Sequence, residues 1–285
     1  MMNVDLQRLV DHALAALGRA GNGLGVLSLL QQTPHKCTLL AKRAGQRFVL
    51  RIDRPGGAVP GLSRPAELAI LHWAAAADLG PAIVASAPGV LLLHHLDGRS
   101  WTADDLLDPQ RLARAGQLLR RLHEAGRGGG AGAWAAPMGA RAAGINPLLP
   151  SLTELTQAYA SHINTAAAHA TAAQILKLLP EPGPGELTLC HRDPIAPNLL
   201  ETPAGELKLL DWEYAGPGDP LYDLAVIIEH HALDEAAAAT LLTSWAGGDP
   251  AGDLSRRLER ARQACRLVVD LWEKAVAASR APEHS

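Results

Sequence analysis

The side chains best able to do chemistry are concentrated in residues 188–225, TLCHRDPIAPNLLETPAGELKLLDWEYAGPGDPLYDLA. Asp193 is a carboxylate that could accept the proton of an attacking hydroxyl. Asn198 follows it by five positions, and Asp211 closes the next apolar run. An amide oxygen and a carboxylate are hard ligands suited to Mg²⁺. Magnesium bridging phosphate oxygens neutralises the charge that phosphoryl transfer must manage. The three residues therefore predict one base and two metal ligands. The competing reading is that they are surface turn residues, since Asp and Asn favour turns.

For these groups to meet, the chain between them must fold back. Residues 187–190 read as a short strand, 198–201 as a second and 206–211 as a third, with a turn at 202–205. A hairpin brings its two ends together, so Asn198 at the entry and Asp211 at the exit can face one site. Upstream, residues 4–20 have apolar residues at helical spacing. β-like runs follow at 37–42 and 47–53, around a turn at 44–46. Residues 64–79 read as a helix with Pro65 in its first turn. Strand-like runs at 82–86 and 90–96 flank Pro88-Gly89. Beyond Asp97-Gly98 the texture is helical: 109–125, an alanine-rich stretch at 151–180, and 221 to about 278. The glycine-rich run 127–132 follows a helix, lacks GxxxxGK[ST], and reads as a flexible loop rather than a phosphate loop. The pattern predicts an α+β chain with a small β-rich lobe over residues 1–96. A larger, mainly helical lobe over 97–285 would carry the hairpin.

Bulk properties narrow the classes. At 285 residues the chain is long enough to bury a core without disulfides or structural metal. A net charge of -3 and a pI of about 6.4 give no basic footprint for nucleic acid. Cys37, Cys190 and Cys265 form no CxxC, which argues against a disulfide framework or a cysteine zinc site. Residues 1–8 lack the basic and apolar regions of a signal peptide. The longest apolar stretch, 82–93, is interrupted by Ser86, Pro88 and Gly89 and is too short to span a bilayer. A cytoplasmic protein without membrane or nucleic-acid partners is expected. No GxSxG elbow or metal-hydrolase spacing supports a hydrolase.

His191-Arg192-Asp193 with Asn198 matches the H-R-D-x-x-x-x-N kinase loop. Together with residues 211–215 (DWEYA) and 221–225 (LYDLA), it resembles the aminoglycoside phosphotransferase/choline kinase superfamily. That superfamily is a branch of the protein-kinase-like fold, and the resemblance is nearest to its choline, ethanolamine and thiamine kinases. It is strongest over about 188–230. It implies a bilobal fold, ATP as co-substrate and Mg²⁺ as cofactor. By it Asp193 is the catalytic base, Asn198 and Asp211 hold magnesium, and His191 and Asp223 are structural. Arg51, in the VLRI pattern of residues 49–52, would pair with Glu67 and meet nucleotide phosphates. An ordinary surface ion pair is the alternative for these two. Residues 91–98 (LLLHHLDG) are similar to an adenine-contacting hinge, with His95 and Leu96 in the nucleotide site. Two features depart from the pattern. Residues 30–38 (LQQTPHKCT) contain no glycine where a glycine-rich turn is expected, leaving Thr33, His35 or Lys36 as substitutes. Ile195 stands where protein-directed kinases have lysine, which fits the small-molecule branch.

For the acceptor, a permanent cation calls for aromatic faces and carboxylates. The candidates are Trp212, Glu213, Tyr214, Glu229, Trp245 and Trp272, with core packing the alternative for Trp245 and Trp272. The expected acceptor is a small cationic alcohol: choline, ethanolamine or thiamine. An amino sugar or aminoglycoside is the second class. A catalytically weak nucleotide-binding pseudokinase is the third reading.

Overall fold

The computed structural model describes residues 4–55, 59–127, 150–179, 187–250 and 252–280. Nearly all of the glycine-rich 127–132 run, and the Pro/Gly stretch at 181–185, lie outside them. The chain begins with helix α1 (Val4–Ala16), followed by strands β1 (Gly25–Gln32), β2 (Lys36–Arg43) and β3 (Gln46–Asp53). Helix α2 (Arg64–Ala76) precedes β4 (Ile83–Ala87) and β5 (Val90–His94). The strands form one antiparallel sheet in the order β1-β2-β3-β5-β4.

Period-two alternation on β3 sorts its side chains between the two faces. Phe48, Leu50 and Ile52 join Val10, Ala13 and Leu17 of the α1 side in a small apolar core. Arg51, between Leu50 and Ile52, faces the other way, toward α2 and the cleft. As part of a central strand paired on both sides, it stands on a rigid support. Helix α2 starts where Ser63 accepts the Ala66 N–H, with Pro65 in the first turn.

After β5, the two-residue strand β6 (Arg99–Ser100) leads to α3 (Pro109–Arg127), α4 (Leu152–Ile163) and α5 (Ala166–Leu178). Then come β7 (Thr188–Cys190), the hairpin β8 (Leu199–Glu201) and β9 (Leu207–Leu209), and β10 (Gly216–Gly218). Helices α6 (Leu221–His230), α7 (Glu235–Ala246) and α8 (Leu254–Arg280) complete the chain. β8 pairs with β6 and β9, and β7 pairs with β10. A larger core joins α2 to these helices through Ile70, Leu71, Leu119, Leu122, Leu224 and Ile227. Gly126 is required where α3 crosses β7: a Cβ there would stand 2.8 Å from the Leu189 backbone nitrogen. The α+β, two-lobed architecture is as the sequence predicts. No helix among the described residues is long and apolar enough to cross a membrane.

Three local readings are corrected. Strand β1 is absent from the sequence reading because it is a sheet edge with little burial and two irregularities in register, so no alternation marks it. The 151–180 run is two helices. Asn164, with φ of 55°, ends the first, and Thr165 caps the second by accepting the Ala168 N–H. The final helical run is three helices, broken at Ala232 (φ 49°) and at Gly247 (φ 77°).

Candidate active site

The chain leaves β7 at Cys190 and enters a tight loop in which Arg192 adopts a φ of 64°. A non-glycine residue there costs roughly 1–3 kcal/mol and persists only where its surroundings enforce it. Asp223, in the first turn of α6, supplies the enforcement. Its carboxylate accepts the backbone N–H of His191 at 2.8 Å and of Arg192 at 2.7 Å. A third donor is Nε2 of His123 at 2.9 Å. The indole N–H of Trp245 donates to Nδ1 of His123 at 2.8 Å, which places the imidazole proton on Nε2. Burial alone would raise Asp223, but these donors hold it below the ordinary carboxylate range. His123, Cys190 and Asp223 lie close enough together to suggest a metal cluster. Both imidazole nitrogens of His123 are already committed to Trp245 and Asp223, so His123 and Asp223 form a brace instead.

His191 is fully buried and keeps its charge off. Burial lowers its pKa, Nε2 meets the Leu210 carbonyl at 2.9 Å, and Nδ1 accepts the Asp193 N–H at 3.3 Å. The Arg192 guanidinium donates to the carbonyls of Pro150 and Pro217 at 2.8 and 2.5 Å, tying the loop to β10. Asp193 is thereby held at the floor of the cleft. Asn198 donates to the Asp193 carbonyl at 2.8 Å and to Oδ2 at 2.9 Å, leaving its amide oxygen for another partner. The hairpin closes as expected, with the Leu210 N–H on the Asn198 carbonyl at 2.9 Å.

Across the cleft, Arg51 and Glu67 form a two-pronged ion pair whose second contact is 2.5 Å. Both are buried, at 8% and 3% exposure, so this is not the surface pair that was the alternative. Arg51 also lies 3.8 Å from Asp211. Lys36 donates to Asp211 at 2.5 Å and to Glu213 at 2.9 Å. Arg64 joins Asp53, Glu67 and Glu213 at 2.6, 2.7 and 3.0 Å. Against burial, Lys36, Arg51 and Arg64 hold Glu213 down to about 2. Asp193 is pushed up to about 8 by burial and by the nearby Asp211 and Glu213 charges.

Below Asp193 lies a cavity of about 620 Å³. Tyr159, Tyr214, Tyr222 and Trp272 supply its aromatic lining, and Leu152, Ile195, Val226 and Val269 its aliphatic one. Glu229 reaches it but is paired with Arg262 and Arg266 at 2.6 and 2.7 Å. The Trp272 N–H donates to the Tyr214 hydroxyl at 3.1 Å.

The structure thus gathers Asp193, Asn198, Asp211, Arg51 and Glu67 around one cleft, with Tyr214, Glu229 and Trp272 in the adjoining cavity. Three acceptor candidates are elsewhere. Trp212 is fully buried: its indole donates to the Leu209 carbonyl at 3.0 Å, and it packs edge-on against His191 and Trp73. Trp245 packs α7 on α3 through His123. Glu213 belongs to the ion network rather than the cavity lining. At the link between the lobes, the His95 N–H bonds the Arg47 carbonyl at 3.2 Å, and Asp97 joins His95 and Arg47; Leu96 lies between His95 and Asp97. Sequence reasoning missed Arg64 and Asp53. The only signal for Arg64 was its place beside Pro65 at a helix start.

Residues 38–267 match the model of the phosphotransferase enzyme family (APH). The chain belongs to this family. A thiamine kinase from Escherichia coli O157:H7 is 32% identical over 197 residues, 67% of this chain and 61% of that protein. The matched stretch therefore spans less than two thirds of that relative's length. Among solved structures, a choline/ethanolamine kinase family protein from Mesorhizobium loti superposes with a TM-score of 0.69 at 24% identity, covering 97% of this chain and 89% of the other. An ethanolamine kinase from Plasmodium vivax gives 0.71 at 14% identity, covering 93% and 80%. At these identities the two likenesses speak for the fold.

Proposed function

We propose that this phosphotransferase-family protein is an ATP- and Mg²⁺-dependent kinase of a small-molecule alcohol. The observation that carries the reading is the placement of Asp193, Asn198 and Asp211 around the ends of one hairpin, with the Arg51–Glu67 pair facing Asp211. ATP is assigned to the cleft between the two lobes, with residues 1–96 as the nucleotide lobe and His95 and Leu96 at the adenine edge. Asp193 accepts the acceptor's hydroxyl proton as that oxygen attacks the γ-phosphorus; the products are ADP and a phosphate ester. In the metal-free protein Asp193 is raised to about 8, above neutral pH; positive charge brought into the cleft would lower it toward the charged form that accepts a proton. His191 and Asp223 fix where that carboxylate stands, and Arg51, steadied by Glu67, meets the phosphates.

The residues present fit a divalent cation. Asn198 and Asp211 are hard oxygen donors, and the Glu67, Asp211 and Glu213 oxygens lie within 4.8 Å of one another with a cationic ammonium among them. Asn198 and Asp211 would hold the ion, which when bound supplies charge neutralisation for the transferring phosphate.

The acceptor is assigned to the cavity beneath Asp193. Its aromatic lining and the Glu273 carboxylate suit a cationic alcohol, while Glu229 is already paired with Arg262 and Arg266. A volume of about 620 Å³ is in the range that holds a drug-sized molecule. That favours thiamine over choline or ethanolamine, and the thiamine kinase relative supports the same choice. An amino sugar or aminoglycoside is the second class. The glycine-free β1–β2 turn favours the pseudokinase alternative. Isothermal titration with Mg-nucleotide, followed by titration of thiamine into the nucleotide complex, tests the assignment. Saturable binding of both, with thiamine binding weakened several-fold in Trp272→Ala, supports it. Absence of nucleotide binding overturns it.

A further inference from the structure

The turn joining β1 to β2 has no backbone donors to offer a phosphate. Phosphate cradles are commonly built from successive backbone N–H groups. Here the Thr33 N–H is spent on the Lys36 carbonyl at 2.9 Å. Those of His35 and Lys36 are spent on the Thr33 hydroxyl at 3.2 and 3.1 Å. Pro34 has none. Any phosphate contact from this turn must come from a side chain.

Lys36 is the side chain in position. It is 5% exposed, and its ammonium sits between Asp211 and Glu213, inside the network that contains Arg51. Lys36, Arg51 and Arg64 face Asp53, Glu67, Asp211 and Glu213, three cations against four carboxylates. A divalent cation arriving on Asp211 competes with the Lys36 ammonium for that carboxylate and displaces it. The triphosphate that accompanies the cation is then the nearest unmet negative charge. The backbone need not move for this: Lys36 remains paired with Asp53 across the sheet, and its four-carbon stem is flexible.

We infer that Lys36 is the phosphate-contacting cation of this site, parked on Asp211 and Glu213 until metal and nucleotide enter together and exchange with it. The inference rests on the reading of the cleft as a nucleotide site. It makes Lys36 both a guard against bare metal and a ligand for the loaded nucleotide.

Lys36→Met keeps the stem and removes the charge, and the two roles predict effects of opposite sign. Mn²⁺ binding to nucleotide-free protein, read by electron paramagnetic resonance, should tighten several-fold because Asp211 and Glu213 lose their counter-ion. Mg-ADP affinity, read by calorimetry, should weaken by roughly tenfold or more, the worth of one charged hydrogen bond. Lys36→Arg should restore most of the nucleotide affinity. Lys36→Gln repeats the test if the methionine variant does not fold. Unchanged nucleotide affinity in the charge-removing variant overturns the phosphate contact, and unchanged Mn²⁺ affinity overturns the parking. If the wild-type protein itself binds no Mg-ADP, the nucleotide reading fails and the inference falls with it. Wild-type binding with an indifferent Lys36 variant overturns the inference alone.

Discussion

Replacing Asp223 by Asn puts an NH₂ group into a pocket that presents only donors. The carboxylate accepts from His191 N–H and His123 Nε2 on one oxygen and from Arg192 N–H on the other, and no part of it is exposed. Asparagine has one acceptor oxygen. Its best placement keeps the His191 and His123 bonds and sets its NH₂ against the Arg192 N–H at the former 2.7 Å contact. His123 cannot relieve the conflict by shifting its proton, because Nδ1 already accepts from Trp245. The loss is one hydrogen bond to a charged group, about 1.5–3 kcal/mol, plus an orphaned buried donor, about 1–3 kcal/mol. The expected total is about 3–5 kcal/mol, a large part of the ~5–15 kcal/mol that holds a domain together. Urea unfolding at neutral pH should show that drop with an unchanged slope. The freed Arg192 backbone should also relax from its positive φ and misplace Asp193, lowering kcat ~100-fold. Nucleotide affinity should be little altered, since Arg51 and Glu67 are untouched. A variant within ~1 kcal/mol of wild type would show that Asp223 is not the brace of the loop.

Other substitutions probe the rest of the site. Glu67→Gln leaves the buried Arg51 guanidinium half-paired and should destabilise by about 3–5 kcal/mol, with weaker Mg-nucleotide binding by calorimetry. Asp193, raised to about 8, and Glu213, lowered to about 2, should give stability slopes of opposite sign in metal-free protein. A raised folded pKa contributes stability below the unfolded value of 3.8 that is lost as pH climbs toward 8. The wild-type advantage over Asp193→Asn should therefore shrink across that window. A lowered folded pKa contributes stability above 4.5 that is lost as pH falls toward 2, so the wild-type advantage over Glu213→Gln should shrink on acidification. Paired urea titrations across pH check both. Trp272→Ala should raise the acceptor KM several-fold and leave the nucleotide KM in place, whereas Trp212→Ala should lower stability by about 3–5 kcal/mol, as expected for a buried core aromatic.

The parts of the site legible in sequence were those whose geometry follows from local folding. The Asn198-to-Asp211 hairpin is short-range, and strands of alternating or continuous apolar residues around a turn suffice to bring its ends together. Arg51 was legible because a charge inside the apolar run 48–52 is unexplained unless something meets it, and Glu67 meets it. Residues whose role depends on long-range placement were not legible. Lys36 stands among the turn residues expected to replace the glycine-rich loop, but its pairing with Asp211 and Glu213 exists only because the two lobes close on each other, and nothing local to residue 36 signals that pairing. The aromatic candidates show the same limit. Trp212 and Tyr214 are two residues apart, yet one is core and the other lines the cavity, since the chain after β9 turns between them. Tyr159, concealed in an alanine-rich run, reaches the cavity because α4 packs beside α8.

The most direct test of the central claim is ADP release with Mg-ATP across thiamine, choline, ethanolamine, amino sugars and aminoglycosides, with Asp193→Asn in parallel. The account predicts turnover with a cationic alcohol, thiamine foremost, and its loss in the variant while Mg-nucleotide binding persists. Undiminished turnover in Asp193→Asn, or no turnover with any of these acceptors, would contradict it.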